Sequence, residues 1–279
     1  MRAFSPGSLD EALRHLSEHP EVRPVAGCTD LLVADPDRIA ALPGVLDLLS
    51  IAELRGIRWV GEALEIGSTT TFAEIGASRT VQQNFPSLAE AASQIGGWQI
   101  QNRATLGGNM ANASPAGDSL PVLLALDAAV VLVGPQGERT LGYSEFHTGY
   151  RETAIQPGEI IGRVVLPRPR PDTVQLFRKV GTREAHAISK VVVALSARVD
   201  DGNIVEYRLA AGSMAAVPVR FPLVEEAVLG RPADTDTADL AGRLAAEAVE
   251  PIDDVRSTAA YRRFALERVV RRLTLRLSI

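Results

Sequence analysis

Leu9, Leu13 and Leu16 recur at helical spacing behind Ser8-Leu9-Asp10-Glu11, a capping-box pattern whose hydroxyl and carboxylate can satisfy the first unpaired amides. The chain is therefore predicted to open with a helix. Val22 to Ala26 reads as a short buried strand, and Leu31-Leu32-Val33 as the first turn of a second helix. Val45 to Leu49, Gly56 to Val60 and Ala63 to Gly67 read as strands, the last two turning at Gly61, which predicts a small mixed sheet. Between Phe85 and Ile95, the positions of Leu88, Ala91, Ala92 and Ile95 predict a helix that Gly96-Gly97 ends with a left-handed cap.

Further on, the pattern predicts an apolar helix from Leu120 to Leu126, a strand from Ala128 to Val133, a turn at Gly134-Pro135-Gln136-Gly137 and a strand from Ile160 to Leu166. Pro167, Pro169 and Pro171 then interrupt any ladder or helix, and the expected domains are residues 1–167 and 172–279. Thr173 to Val180, Val191 to Val199 and Ile204 to Ala211 predict a three-stranded antiparallel meander, its second turn at Asp200-Asp201-Gly202-Asn203. Helical patterns follow at Leu223 to Leu229, Thr237 to Val249 and Ser257 to Leu275; strands first and helices after is the order of an α+β domain.

Composition removes several function classes. With 46% hydrophobic and 23% charged residues, the chain is neither disordered nor fibrous. A net charge of −5 gives no reason to expect nucleic acid. The longest apolar stretch, Leu120 to Val133, is broken by Asp127 and is shorter than the roughly 20 residues a bilayer needs. No apolar leader follows Met1-Arg2-Ala3-Phe4, so the expected location is cytoplasmic. The single cysteine, Cys28, cannot hold a four-thiolate iron–sulfur cluster, and any such centre must sit on a partner.

Two glycine-centred loops carry the candidate chemistry. Ala26-Gly27-Cys28-Thr29-Asp30, between strand and helix, can turn consecutive amides toward an anion such as phosphate. It equally suits an ordinary turn in which Thr29 or Asp30 caps the helix. Thr105-Leu106-Gly107-Gly108-Asn109, extended by Ser114-Pro115-Ala116-Gly117-Asp118, reads as a long irregular path with paired glycines and polar groups that suit a large polar ligand. A bulky β-branched residue at Gly107 or Gly108 is expected to expel that ligand from a folded chain. Neither G-x-G-x-x-G nor a P-loop is present. His147 and His186 lack metal-ligand spacing, so no metal is predicted; Trp98 and Tyr150 are read as packing residues. The arginines of the last helix suit a solvated face or a subunit contact.

Pro24-Val25-Ala26-Gly27-Cys28-Thr29-Asp30-Leu31, Asn102-Arg103-Ala104-Thr105-Leu106-Gly107-Gly108-Asn109 and Ser114-Pro115-Ala116-Gly117-Asp118 resemble the signature loops of the FAD-binding medium subunit of molybdenum hydroxylases, the group of carbon monoxide and xanthine dehydrogenases. The resemblance continues through Lys179-Val180-Gly181-Thr182-Arg183, Pro218-Val219-Arg220 and Asp254-Val255-Arg256-Ser257 with Tyr261-Arg262. It implies an α+β fold: a two-part FAD-binding domain of the vanillyl-alcohol-oxidase (PCMH) type, then a smaller α+β domain.

The resemblance further implies that Ala26, Gly27, Cys28, Thr29, Asp30 and Leu31, together with Thr105, Leu106, Gly107, Gly108 and Asn109, clamp the FAD diphosphate through backbone amides, with Val25 among the cofactor-binding residues beside them. Ser114 and Asp118 belong to the same site, Ile95 and Ile161 pack on the cofactor, and Lys179 reaches it from the second domain. Cys28 stands where the family's loop more often has glycine, and FAD is expected to be non-covalent. The implied role is electron transfer: electrons arrive from a small iron–sulfur subunit and leave to NAD, oxygen or a quinone. The [2Fe-2S] clusters and the molybdenum cofactor would lie on that small subunit and on a large molybdopterin subunit, assembled as a dimer of heterotrimers. A stand-alone flavin-dependent oxidoreductase acting on a small substrate is the alternative.

Overall fold

Ser8 caps the first helix, α1 (Leu9–Glu18), in the computed structural model, which describes residues 2–34, 41–183 and 185–278. Its hydroxyl accepts the Glu11 amide at 3.3 Å. The Glu11 carboxylate, however, accepts from Gly7 at 2.7 Å, one residue earlier than a capping box requires. Ala12 and Leu16 are buried and pack toward a parallel sheet of β1 (Arg2–Phe4), β2 (Arg23–Val25) and β3 (Gly44–Asp47), ordered β1-β3-β2. The expected buried strand at Val22 to Ala26 is thus an edge strand: Val22 is buried, but Arg23 and Pro24 are exposed, and an edge suits a proline that has no N–H to give. A short helix, α2 (Leu31–Ala34), follows.

A second sheet is antiparallel, ordered β4-β5-β10-β6-β7. Its strands are β4 (Ile57–Val60), β5 (Ala63–Gly67), β6 (Ala129–Gly134), β7 (Gly137–Gly142) and β10 (Ile160–Pro167). A small hairpin of β8 (His147–Gly149) and β9 (Glu152–Thr153) precedes β10. The single mixed sheet expected from residues 45–67 is therefore two sheets, with β3 in one and β4 and β5 in the other. Alternation of side chains identifies a strand but not its neighbour.

Between β5 and β6 run α3 (Phe72–Ala77), α4 (Arg79–Asn84), α5 (Pro86–Gln94), α6 (Trp98–Gln101), α7 (Leu106–Asn112) and α8 (Leu120–Ala125). Thr71 and Glu74 form a reciprocal capping box on α3, and Ser78 caps α4. Gly96, with φ +57°, ends α5 as expected. The glycine-rich segment departs from expectation: residues 106–112 are helical, not irregular. The Thr105 hydroxyl accepts the Gly108 amide at 3.1 Å, and this cap outweighs the low helix propensity of two glycines.

The third sheet, β11 (Val174–Val180), β12 (Val191–Asp200), β13 (Asn203–Gly212) and β14 (Val219–Arg220), is antiparallel in that order. The two-residue β14 adds a fourth strand to the expected three; it is too short to carry a period. Both faces of β12 are covered. Val191, Val193 and Leu195 face a core shared with α9 (Pro222–Val228), α10 (Thr235–Glu247) and α11 (Ala259–Leu275), while Val192 and Ala194 join Phe177 in the core of α5 and α8. Residues on either side of the proline-rich segment therefore share one hydrophobic core.

The Asp254 to Arg262 motif is explained by a clamp. Arg262, 3% exposed, donates from Nη1 to the carbonyl of Lys190 at 2.7 Å and from Nη2 to Asp254 Oδ1 at 2.8 Å. Asp254 also accepts the Arg256 and Ser257 amides at 2.9 and 3.0 Å. Partial burial opposes ionisation, but these donors together hold the carboxyl down to about 2 from an ordinary 3.8. A folded-state value below the unfolded one contributes stability that is present above the ordinary value and lost as pH falls through the folded one. Urea unfolding followed from pH 5 down to about 2 is expected to show that loss, and Asp254→Asn should flatten it; an unchanged acid limb would mean the clamp contributes nothing.

Candidate functional site

The two loops close on each other. A Cβ added to Gly27 would lie 1.9 Å from the Arg103 carbonyl oxygen, so only glycine lets the first loop touch the segment leading into α7. Beside this contact lies a cavity of about 600 Å³, within the range of cofactor sites. Val25, Ala26, Gly27, Cys28, Thr29, Asp30, Leu31, Thr105, Gly107, Gly108 and Ile161 all line it, joined by Ser68 and Thr69 after β5 and by Ile155, Glu159 and Ile160. Arg23 and Arg151 bring positive charge to its wall. Arg151, at the tip of the β8–β9 hairpin, donates to Asn112 Oδ1 at 3.0 Å.

Other expected site residues stand outside that lining. Leu106 and Ile95 are buried in the central core. Asn109 accepts from the Ser119 hydroxyl at 2.7 Å, and the Ser114 hydroxyl accepts the Ala116 amide at 3.3 Å. Lys179 donates to Asp118 Oδ2 at 2.6 Å and to the Gln94 carbonyl at 2.9 Å, and the Ser189 hydroxyl donates to the other Asp118 oxygen. Burial raises the Asp118 carboxyl above the ordinary carboxylate range, although Lys179 and Ser189 pull the other way.

The two loops differ in their backbone amides. Leu106 N donates to Thr70 O at 3.1 Å, Gly107 N to Ser68 O at 2.8 Å, Gly108 N to the Thr105 hydroxyl and Asn109 N to Thr105 O at 3.0 Å. These four groups are engaged within the chain, so the amide clamp expected from Thr105 to Asn109 is not available at Leu106 to Asn109. Two of them go to carbonyls of the segment after β5 and two to Thr105. Among the described residues, the amides of Ala26, Gly27, Cys28, Thr29 and Asp30 have no acceptor. Cys28 interrupts that run at φ +59°, and successive amides around a left-handed residue form a concave anion nest. Donors without an acceptor among the described residues, nearby arginines and a cavity of cofactor size fit a nucleotide diphosphate at the first loop.

Cys28 holds this backbone without glycine's freedom. Burial, seconded by Asp47, pushes its thiol up against the pull of Arg103 and Arg23, so it stays protonated at neutral pH. The left-handed conformation costs a side-chain-bearing residue about 1–2 kcal/mol, partly offset by the greater unfolded-state entropy of glycine. Cys28→Gly is expected to stabilise the chain by up to about 1 kcal/mol in urea titration and to keep its ligand; ligand loss would assign the thiol a role in binding.

Trp98 and Tyr150 are exposed, not packed as expected; an aromatic side chain in the sequence does not reveal which face it takes. His147 is half-buried beside the Tyr143 hydroxyl at 3.0 Å, and burial lowers its pKa to about 4. The site residues that sequence reasoning missed include Ser68, Thr69, Arg23 and Arg151. One signal was available: Ser68-Thr69-Thr70-Thr71 places four hydroxyls in a row directly after a strand. Among the described residues, no group of three or more His, Cys, Asp or Glu can hold a metal ion, and no helix is long and apolar enough to cross a membrane.

Residues 1–169 match the family model of the FAD binding domain in molybdopterin dehydrogenase, and residues 176–277 that of the CO dehydrogenase flavoprotein C-terminal domain. The nicotinate dehydrogenase FAD-subunit of Eubacterium barkeri is 30% identical over 97% of this chain and 93% of its own. The carbon monoxide dehydrogenase medium chain of Hydrogenophaga pseudoflava is 29% identical over 96% and 93%. A chain in a solved structure of carbon monoxide dehydrogenase from the same organism superposes with a TM-score of 0.93 at 29% identity, covering 98% of this chain and 95% of the other. The match runs through the FAD-binding part and the smaller α+β part alike, and the chain belongs to the FAD-binding medium subunits of the molybdenum hydroxylases, a group of oxidoreductases.

Proposed function

We propose that this chain is the electron-transfer subunit of a cytoplasmic molybdenum-containing hydroxylase, taking electrons from an iron–sulfur partner and passing them to a terminal acceptor. The observation that carries this reading is the run of amides from Ala26 to Asp30 at the cavity wall, which have no acceptor among the described residues. When bound, FAD supplies the redox chemistry, and the protein binds and orients it. The first loop holds the diphosphate with its amides, and Gly27 keeps that loop seated on Arg103. Thr105, Gly107, Gly108 and Ile161 shape the wall opposite, with Leu31 and Leu48 excluding water. Ile95, Leu106, Asn109, Ser114 and the Asp118–Lys179 pair act from behind that wall, fixing the elements that present it.

The same reading divides the chain into an FAD-binding unit, residues 1–167, and a C-terminal unit, residues 172–279. The intervening prolines and the two separate family matches support that division. With one cysteine in the sequence, the [2Fe-2S] clusters belong on a small partner subunit and the molybdenum cofactor on a large one, in a dimer of heterotrimers. Purification of the chain from its own cells tests this: a yellow complex with two further polypeptides, iron and molybdenum is expected. A yellow single chain that turns over a substrate unaided would overturn the proposal.

A further inference from the structure

Four consecutive hydroxyls follow β5, and three have partners inside the chain. Thr69 Oγ1 donates to the Leu54 carbonyl at 2.9 Å. Thr70 Oγ1 accepts the Gly56 amide at 2.9 Å and donates to the Gly56 carbonyl at 3.2 Å. Thr71 Oγ1 bonds Glu74 in the capping box. Ser68 Oγ, the fourth, is buried and has no partner among the described residues.

The backbone of Ser68 is held at both of its polar groups. Its amide donates to the Gly162 carbonyl at 3.0 Å, and its carbonyl accepts the Gly107 amide at 2.8 Å. The residue is thereby fixed between the strand carrying Ile161 and the start of α7, 4% exposed. A Cβ on Gly107 would lie 2.6 Å from the Ser68 Cβ, so the two elements leave no room for a shift. A buried hydroxyl without a partner is costly, and native structures keep few of them without a reason. Ser68 also lines the cavity beside Thr105 and Gly107, and rotation about its Cα–Cβ bond, which leaves both backbone bonds intact, can turn the hydroxyl toward the cavity's occupant.

We infer that Ser68 is a cofactor-contacting residue, its hydroxyl donating a hydrogen bond to an oxygen of the flavin nucleotide bound in this cavity. This rests on the proposed occupancy of the cavity by FAD and adds a contact outside both glycine loops. In Ser68→Ala the methyl group keeps the shape and removes only the unpaired oxygen. The cofactor-free variant is therefore expected to melt at or above the wild-type temperature. Its dissociation constant for FAD, from titration of the cofactor-free full chain by flavin fluorescence, should rise by about three- to tenfold, the equivalent of one net hydrogen bond.

Thr70→Val is the comparison, because its hydroxyl is bonded within the chain: it should melt lower without FAD and bind FAD as wild type does. Ser68→Ala with unchanged FAD affinity would overturn the inference. A loss of affinity matched by a lowered melting temperature without FAD would overturn it too, since that is the signature of a structural hydroxyl. If the wild-type chain binds no FAD at all, the proposed function itself fails, which is a separate and recognisable result.

Discussion

Gly107→Val is expected to yield little folded protein, and Gly108→Val a folded chain without flavin. In the sequence the two glycines are interchangeable, but the helix that starts at Leu106 points them in different directions. A Cβ on Gly107 would meet the Ser68 Cβ at 2.6 Å and the Ser68 carbonyl oxygen at 2.8 Å, a backbone group that also accepts the Gly107 amide. Relieving that clash means separating α7 from β5. Overpacking of this kind costs about 1–3 kcal/mol even in tolerant cores, and here a ladder-like hydrogen bond is lost as well. Gly108 is exposed at the cavity wall, and its added Cβ would approach only the Thr105 hydroxyl, at 2.9 Å. A valine there adjusts locally and fills ligand space. Circular dichroism and flavin absorbance of the two variants separate the effects. A folded, yellow Gly108→Val would show that this face of α7 does not meet the cofactor, and a well-folded Gly107→Val would contradict the packing described for Ser68.

Lys179→Met is expected to lower stability by about 3–5 kcal/mol, because it leaves the Asp118 carboxylate buried without its cation. For a chain of this size that is on the order of 10 °C in melting temperature. Burial already raises the Asp118 carboxyl, and removing Lys179 takes away the strongest opposing influence. The group therefore remains protonated to higher pH in the folded state, and the variant's stability should fall as pH rises through that raised value, the opposite trend to the Asp254 clamp. The double variant Lys179→Met, Asp118→Leu should recover much of the loss, since apolar replacements remove both desolvation penalties. Thermal melts of the three proteins across pH check this; equal melting temperatures for wild type and Lys179→Met would mean that the pair does not hold β11 to the segment before α8.

The helices and strands are largely legible in the sequence because each element's period or cap lies within a few residues: Ser8 before α1, Gly96 after α5, the turn at Gly134 to Gly137. Partnership is not. Nothing local in Val45 to Leu49 indicates that it lies between two parallel neighbours, and nothing in Arg23-Pro24-Val25 except the proline marks an edge. The glycine motif is visible as a site but not as a helix, since the decisive interaction is a single cap from Thr105. Along the sequence, nothing distinguishes the five amides at Ala26 to Asp30 from the four at Leu106 to Asn109; only the fold decides which are already bonded. Ser68 is hidden for the same reason: four hydroxyls in a row are visible, but which one lacks a partner depends on carbonyls at Leu54 and Gly56, more than ten residues away.

A structure of the full chain determined with FAD tests the central claim most directly. The diphosphate is predicted to lie against the amides of Ala26 to Asp30, with the nucleotide occupying the cavity between that loop and α7. FAD bound elsewhere on the chain, or a first loop whose amides remain turned away from it, would contradict the account.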